Sequence, residues 1–389
     1  MGENWRKIRG GLSRYQMKIV MAAPFFHPVV GGMENHVLNL SKELIKKGHS
    51  VEVWTSNLSR NGKIKERESV YEGIKIKRFN SWFKLGQFAS FFPGVFKEAM
   101  VSKADVIHVH NFRHPLMAIP LFTKKPCVLT FHWPEYPDGL RTNKMDAFAR
   151  FFDKFIAKML LKKYKRVCAV SPLEVPFIQK FGVPKEKIVL VPNGIPADFF
   201  SEEEKRYFRV KWNLKENDMI VLSLSRLHKS KGFDVIVRVA GKFPQVKFVI
   251  AGKDEGFKAE LQQLIENLQV KNVFLVGEIP EADKKKAFAA ADIFVHPSHF
   301  EAFGIVVLEA MAQGKPVITS DVGGLPWVVK DAGLLFQDNN VNELEDRLKR
   351  LLYSGSLRKE LSKNAVKRAK GLTWEKITDH LEKMYKELV

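Results

Sequence analysis

The chain has 389 residues, of which 45% are hydrophobic and 28% are charged, and its formal net charge is +21. These values indicate two or three globular domains and exclude a disordered or fibrous protein. No apolar run reaches the length of about 18 residues that a transmembrane helix needs. The two cysteines, Cys127 and Cys168, lie in apolar runs, which excludes a disulfide framework and favours a reducing, cytoplasmic compartment.

The alternation of apolar runs with helix-like segments predicts the fold. Residues 1–16 lack the apolar core of a secretory signal, so we expect an N-terminal tail there. Each later apolar run has the length and the β-branched content of a strand that is buried on both faces. The predicted strands are 17–23, 50–55, 74–79, 105–110, 127–131, 167–170, 188–192, 219–224, 247–251, 273–276, 293–296, 316–320 and 333–336.

Strands that alternate with helices predict βαβ units and parallel sheets. The predicted fold class is therefore α/β, with two doubly wound, Rossmann-like domains that face a cleft. The segment Pro192-Asn193-Gly194 breaks regular structure, so we place one domain at 17–193 and the other at 194–372. Thr373 is the predicted N-cap of a terminal helix over 373–389.

Two features of the first domain follow predicted strands. Gly31-Gly32 comes after the first strand and opens a helix, and two glycines let the backbone approach a ligand phosphate or sugar closely. His132 ends a strand at its carboxyl end, where ligands of such folds bind, and is a candidate to contact a sugar or an acceptor. A glycine pair alone is weak evidence for a site.

In the second domain, Arg226 and Lys231 follow the strand that ends at Leu224, and a helix is predicted to begin near Gly232. Two cations beside a helix N-terminus suit a diphosphate. The alternative is a solvated basic loop.

Two carboxylates flank the start of the apolar segment 303–312. Glu301 precedes it, and Glu309 interrupts it, although an ionised carboxylate in an apolar helix is costly unless it has partners. Ribose hydroxyls are candidate partners; a purely structural carboxylate is the alternative. The helix start at Phe303-Gly304-Ile305 would offer backbone N–H groups to an anion.

The segment 141–166 contains nine lysines or arginines interleaved with aromatic residues. A helix of this composition is suited to an anionic membrane surface, so we predict peripheral membrane contact there. The alternative is that the aromatic residues are core and the lysines are a solvated face.

The motifs together resemble glycosyltransferase family 4, the retaining nucleotide-sugar transferases of the GT-B fold. The resemblance rests on the order and spacing of five segments along nearly the whole chain. They are Gly31-Gly32-Met33-Glu34, Pro192-Asn193-Gly194-Ile195, Ser225-Arg226-Leu227 with Lys231-Gly232, Glu301-Ala302-Phe303-Gly304 with Glu309, and Asp321-Val322-Gly323-Gly324.

The resemblance implies a role for each candidate residue. Arg226 and Lys231, with Ser225 beside them, would hold the diphosphate in place of a metal, so no cofactor is expected. Glu309 would bind the ribose, and Glu301 would contact the donor sugar together with the backbone at Phe303, Gly304 and Ile305. Gly277 and Ile279 would lie beside the base, Gly31 and Gly32 near the phosphates, and His132 near the reacting sugar.

The implied reaction moves a hexosyl group from a UDP-, GDP- or ADP-sugar to a hydroxyl acceptor, a glycan, a glycolipid or a small polyol. The first domain would bind the acceptor, the second would bind the donor, and the terminal helix would cross back to the first domain. Two alternatives stay open at this point: a nucleotide-sugar epimerase of the same fold and a basic nucleic-acid-binding protein. No nucleic-acid-binding module is visible in the sequence, so no nucleic-acid partner is expected.

Overall fold

A computed structural model describes residues 16–59, 62–85, 89–132 and 149–389, with residues 83–85 and 89 described by their backbone alone. The chain divides into two compact units. The first comprises the described residues up to Thr130, with Phe152–Val167 and Leu381–Val389. The second comprises Cys168–His380 and the described part of Phe131–Phe151. The domain boundaries drawn from the sequence stay a prediction, and the predicted tail lies almost wholly outside the described residues.

The larger sheet has eight strands in the order β12-β11-β10-β9-β1-β2-β6-β5. Its strands β1, β2, β5, β6, β9 and β10 belong to the first unit. The strands β10, β9, β1, β2 and β6 pair with one another in parallel, whereas β5 runs antiparallel to β6 at the edge. The strands β1 to β12 are Lys18–Ala22, Ser50–Ser56, Leu58–Ser59, Gly62–Lys63, Glu68–Tyr71, Ile74–Phe79, Phe83–Leu85, Ala89–Phe91, Val106–His110, Cys127–Thr130, Arg166–Ala169 and Ile188–Leu190.

A six-stranded, wholly parallel sheet lies at the centre of the second unit. Its strands β13 to β18 are Met219–Leu224, Val246–Ala251, Val273–Gly277, Ile293–His296, Val317–Ser320 and Gly333–Phe336. They lie in the order β15-β14-β13-β16-β17-β18. This is the doubly wound order, in which the chain reverses direction across the sheet between the first and the fourth strand.

The helices flank the sheets because their apolar faces need a surface on which to pack. The α-helices are Gly32–Lys46, Gly94–Val101, Lys158–Leu161, Glu174–Lys180, Arg206–Lys211, Phe233–Ala240, Lys258–Asn267, Lys284–Ala290, Ile305–Ala312, Leu325–Val329, Val341–Tyr353, Gly355–Lys370 and Trp374–Lys386. Short 3₁₀ helices occupy Pro115–Leu121, Lys185–Lys187, Ala197–Phe200, Lys229–Lys231 and Glu281–Asp283, and a π-helical turn occupies Phe152–Ala157. Within the described residues, no helix is both long and apolar enough to cross a bilayer.

The predicted fold class is confirmed: both sheets are doubly wound and helix-flanked. Every predicted strand is present within about two residues of its expected ends. The short antiparallel pairs β3–β4 and β7–β8 and the edge strand β5 were not predicted, because they lack a long apolar run. The terminal helix begins after Thr373 as expected. The Thr373 hydroxyl accepts a hydrogen bond from the Lys376 N–H at 3.4 Å.

A buried amide ties the second sheet to its helices. The Asn272 amide nitrogen, just before β15, donates to the carbonyl oxygens of Ala240, Phe243 and Val246 at 2.9–3.0 Å. Backbone N–H groups already bond to two of these carbonyls, that of Phe243 to Ala240 at 3.0 Å and that of Val246 to Phe243 at 2.9 Å. The amide therefore adds a second hydrogen bond to each and braces the turn between helix Phe233–Ala240 and β14.

We expect Asn272→Asp to lower the free energy of unfolding by on the order of 3 kcal/mol, since a carboxylate would face three carbonyl oxygens with no donor between them. Urea unfolding measures the change. Asn342→Asp, at an exposed position in the first turn of helix Val341–Tyr353, is the matched control and should shift stability by less than about 0.5 kcal/mol. Equal effects of the two substitutions would contradict the bracing role.

Candidate active site

The candidate site of the second unit lies at the carboxyl ends of β13 and β16. These two strands are neighbours in the sheet, but the chain leaves them toward opposite sides. A crevice opens where two such connections diverge, and ligands of doubly wound folds bind there. The loop after β13 carries Ser225, Arg226 and Lys231, and the loop after β16 carries Glu301.

Lys231 and Glu301 form an ion pair across this crevice. The Lys231 Nζ lies 2.7 Å from Glu301 Oε2, and both side chains are largely buried. The two residues come from loops that follow different strands, so the sheet order brings them together. An ammonium group has three donors, so the pair leaves Lys231 able to bind a further anion.

His296, the last residue of β16, is the second partner of Glu301. Its Nε2 lies 3.1 Å from Glu301 Oε2, and burial lowers the pKa of His296 despite the neighbouring carboxylate. A neutral imidazole with its hydrogen on Nε2 therefore donates to Glu301. Burial would raise the pKa of Glu301, but Lys231 and His296 together outweigh it and hold this pKa well below its usual range.

The loop that carries Lys231 is fixed against the loop after β16. The Ser230 carbonyl accepts hydrogen bonds from the His299 N–H at 2.9 Å and from the Ser298 hydroxyl at 3.1 Å. Gly232 has φ +64, and a Cβ there would lie 2.0 Å from the Pro297 carbonyl oxygen. This close approach requires glycine, because any side chain would push the two loops apart.

His299 adds charge to this junction. Its Nδ1 lies 2.7 Å from Asp338 Oδ1 and its Nε2 lies 3.9 Å from Asp234 Oδ1. Asp234 and Asp338 raise the pKa of His299 to about 9 against the effect of burial, so the imidazole is protonated at neutral pH.

Arg226 is the exposed member of the predicted phosphate-binding pair. Its side chain is 59% exposed, and its Nη1 donates to Glu255 Oε2 at 2.7 Å. Glu255 belongs to the loop after β14, so Arg226 is anchored toward the neighbouring strand while its remaining N–H groups face solvent. Ser225, just before it, donates its N–H to the Ala251 carbonyl at 3.1 Å and so continues the sheet.

The helix Ile305–Ala312 begins beside Glu301, two residues later than the apolar segment suggested. Gly304 caps it with φ +93, and Phe303 is buried in the core. The N–H groups of Val307 and Leu308 bond to the Gly304 carbonyl at 3.0 and 3.2 Å. Those of Ile305 and Val306 have no acceptor within the helix, so they are the donors that the helix start offers to an anion. The loop after β17 supports this start: the Gly324 N–H donates to the Glu301 carbonyl at 3.0 Å.

Glu309 lies on the same helix and is buried, as the sequence predicts. Its partner is Lys284, whose Nζ lies 3.4 Å from each carboxylate oxygen. Burial raises the pKa of Glu309 to about 7 although Lys284 opposes the shift. The two carboxylates of the motif thus differ, since Glu301 is firmly ionised and Glu309 titrates near neutrality.

The remaining predicted residues are placed as follows. Gly277 ends β15 with φ +80, and its carbonyl accepts the Gly252 N–H at 2.8 Å. The side chain of Ile279 is buried in the core of the second unit. Gly31 and Gly32 begin the helix Gly32–Lys46 of the first unit, and His132 follows β10 with φ +58.

Comparison with known proteins identifies the family. The sequence model described as "Glycosyltransferase Family 4" matches residues 30–199, and the one described as "Glycosyl transferases group 1" matches residues 204–368. Between them they span most of the chain. The chain is a family 4 glycosyltransferase.

Relatives of the enzyme support this family. An uncharacterized glycosyltransferase of Methanocaldococcus jannaschii is 28% identical over 95% of this chain and 98% of its own length. A glycosyltransferase of Rickettsia africae superposes with a TM-score of 0.78 at 21% identity, over 96% of this chain and 99% of its own. Anabaena HepE, solved with UDP, gives 0.77 at 21% identity, over 96% and 100%. The fold of the enzyme is therefore GT-B.

Sequence reasoning missed four residues that shape the site of this transferase: Glu255, Lys284, His296 and His299. Lys284 stands in a run of three lysines, a pattern typical of a solvated face, and no motif spacing indicates Glu255 or His299. Its position in the sequence does indicate His296 as a site residue, since it ends a strand at the same edge of the sheet as the predicted phosphate-binding pair Arg226 and Lys231.

We expect Gly232→Ala to destabilise the transferase by more than the roughly 1–2 kcal/mol of a left-handed alanine, because its Cβ also meets the Pro297 carbonyl. Gly241→Ala is the matched control: Gly241 has open surroundings, with Val270 at 3.6 Å from a Cβ, and no positive φ. That substitution should be neutral or slightly stabilising. Urea unfolding of both variants checks this, and a Gly232→Ala protein as stable as the control would contradict the fixed loop junction.

Proposed function

We propose that this enzyme is a retaining hexosyltransferase, which moves a hexosyl group from a nucleoside-diphosphate sugar to a hydroxyl acceptor. The ion pair between Lys231 and Glu301 carries the proposal, since it puts a cation, a carboxylate and a helix N-terminus at one crevice. The cation and the helix N-terminus suit a diphosphate, and the carboxylate suits the hydroxyls of a sugar.

The donor would bind along the second unit. Arg226 and Lys231 would hold the diphosphate together with the N–H groups at Gly304 and Ile305. Glu301 would accept hydrogen bonds from hydroxyls of the sugar, with the backbone at Phe303 beside it, and Glu309 would accept those of the ribose. HepE was solved in complex with UDP, which supports a nucleotide as a ligand of this enzyme.

The roles of the other predicted residues belong to this proposal. The base would lie beside Gly277 and Ile279, at the carboxyl end of β15. Gly31 and Gly32 would lie near the phosphates, and His132 near the reacting sugar. Ser225 would fix the start of the loop that leads to Lys231.

The chemistry follows from where charge develops. As the sugar–phosphate bond stretches, the diphosphate gains negative charge, and cations fixed near it stabilise this state more than the bound donor. Two cations and a helix N-terminus fulfil the electrostatic role that a metal ion fills elsewhere, so we propose metal-independent transfer. Retention follows if the acceptor attacks from the face that the diphosphate leaves, with a phosphate oxygen taking its proton.

A thermal-shift panel of UDP, GDP and ADP and of their sugars would identify the donor, since a ligand raises the unfolding temperature according to its occupancy. We expect one nucleotide series to stabilise the enzyme. With the selected donor and no acceptor, slow release of nucleoside diphosphate and free sugar indicates transfer to water. A changed sugar configuration with no transfer would instead indicate an epimerase, and the lack of any nucleotide shift would contradict the proposal.

We predict that Arg226→Ala and Lys231→Ala each lower kcat for donor turnover by about 10²–10³-fold, as the loss of one oxyanion donor does. Arg226 is mostly exposed, so its variant should keep the stability of the wild type. Lys229→Ala, an exposed lysine of the same loop, is the matched control and should keep normal turnover. Near-normal turnover by Arg226→Ala or Lys231→Ala would rule out the assigned roles.

We propose further that the enzyme works at the cytoplasmic face of an anionic membrane. Phe155 and Met159 lie one helical turn apart in the first unit, and the two residues are 58% and 51% exposed. Lys154 and Lys158 stand beside them in the sequence. Buried Phe152 and Leu160 belong to the core, so the segment has an apolar face inward and a mixed face outward. Residues 141–148 of the predicted basic segment lie outside the described residues.

A second part of the first unit extends this surface. The 3₁₀ helix Pro115–Leu121 packs against Lys158–Leu161, and at its end Leu121 and Phe122 are exposed. Exposed aromatic side chains among lysines suit the headgroup region of an anionic bilayer. The buried, free thiols of Cys127 and Cys168 fit a reducing compartment.

We expect the enzyme to sediment with phosphatidylglycerol vesicles at low salt and to be released as the salt rises. The double substitution Phe155→Ser and Met159→Ser should weaken binding at least about tenfold, because it removes apolar area that the bilayer would bury. Tyr353 is a still more exposed aromatic residue of the second unit, and Tyr353→Ser should leave binding unchanged. Failure of the wild type to bind at low salt would end the membrane proposal.

A further inference from the structure

Lys284 is a charged residue in direct contact with the proposed donor site that has no role assigned so far. It is the first residue of helix Lys284–Ala290, and its side chain is mostly buried. Its Nζ lies 3.4 Å from both oxygens of Glu309 and 2.8 Å from Glu281 Oε2. The ammonium group thus joins a buried carboxylate to an exposed one.

The neighbouring lysines are directed elsewhere. Lys285 contacts Asp198 and Glu203, and Lys286 contacts Asp283. The three lysines are consecutive residues of one helix, so their side chains leave it about 100° apart. The position of Lys284 therefore makes it the one lysine of this run that reaches Glu309.

Glu309 needs this partner because of where it lies. Its side chain is 7% exposed, on a helix that is otherwise apolar. Burial raises the pKa of Glu309 to about 7, Lys284 opposes the rise and Glu281 adds to it. Without Lys284 this pKa would be higher, and the carboxyl group would be protonated at neutral pH.

The other elements that pack against helix Ile305–Ala312 bring little charge to Glu309. In β16, His296 is bonded to Glu301 instead. The 3₁₀ helix Ala197–Phe200 carries Asp198, which pairs with Lys285. Helix Gly355–Lys370 faces it with alanines, and its Arg368 donates to the Trp327 and Val328 carbonyls. Strand β17 and helix Leu325–Val329 contain no titratable residue.

We propose that Lys284 is a positioning residue of the donor site: it keeps Glu309 ionised, so that the carboxylate accepts both hydrogen bonds of a vicinal ribose diol. This rests on the proposed function, in which Glu309 binds the ribose. A protonated carboxyl group has one oxygen that donates, so it cannot accept from two hydroxyls in the same way. Lys284 thereby makes donor recognition at neutral pH depend on the diol.

The test compares a nucleoside diphosphate with its 2′,3′-dideoxy analogue, using the nucleotide that the thermal-shift panel selects. The ratio of their Kd values isolates the diol contact, and calorimetry measures it between pH 6 and pH 9.5. In the wild type we expect the dideoxy analogue to bind about tenfold or more weakly at pH 8, as for the loss of hydrogen bonds to a charged group. This ratio should fall toward one as the pH drops below about 7, because Glu309 then becomes protonated.

Lys284→Met should move this fall to higher pH, so that the ratio at pH 7.5 is close to one and recovers toward pH 9.5. Lys284→Arg should restore the behaviour of the wild type. Pyrophosphate, which has no ribose, should bind the wild type and Lys284→Met equally, and Lys286→Met is the matched control with an unchanged ratio. A merely structural lysine would change stability without moving the pH midpoint of the ratio.

The outcomes separate the two proposals. A wild-type protein that binds no nucleoside diphosphate would overturn the proposed function itself. Nucleotide binding with a full diol preference in Lys284→Met at pH 7.5 would overturn the role of Lys284 and leave the donor site intact.

Discussion

The ion pair between Lys231 and Glu301 is the constraint on which the rest of the site depends. It joins loops from two neighbouring strands at the point where the chain diverges across the sheet. Two close backbone approaches make it geometrically feasible: Gly232 against the Pro297 carbonyl and Gly323 against the Glu301 carbonyl. A side chain at either glycine would separate the charges, and an unpaired buried charge is costly.

Two buried carboxylates a few residues apart have opposite protonation behaviour for a physical reason. Glu301 receives hydrogen bonds from Lys231 and His296, which together outweigh burial. Glu309 has one cation at a longer distance, and the charge of Glu281 lies beside that cation. Glu301 is therefore a constant feature of the crevice, while Glu309 responds to pH in the range in which the enzyme would work. Environment rather than residue type sets the two roles.

The sequence predicted the strands well because a strand that is buried on both faces must be apolar for its whole length. Ile293–His296 and Gly333–Phe336 are read directly from such runs. Short pairs such as Leu58–Ser59 with Gly62–Lys63 were not predicted, since a strand of two residues is too short to show an apolar run or an alternating pattern. The roles of the predicted site residues stay proposals, although the structure does place Lys231 and Glu301 in contact.

By itself, the sequence determined the fold class, the family and the loops that carry the chemistry, because periodicity and motif spacing are local properties of the chain. Tertiary structure alone decided the partners: Lys284 for Glu309, His296 for Glu301, and Glu255 for Arg226. These contacts join residues that are far apart in the chain or carry no motif. Their electrostatic effect depends on distance and burial, which only the packed sheet and its helices fix.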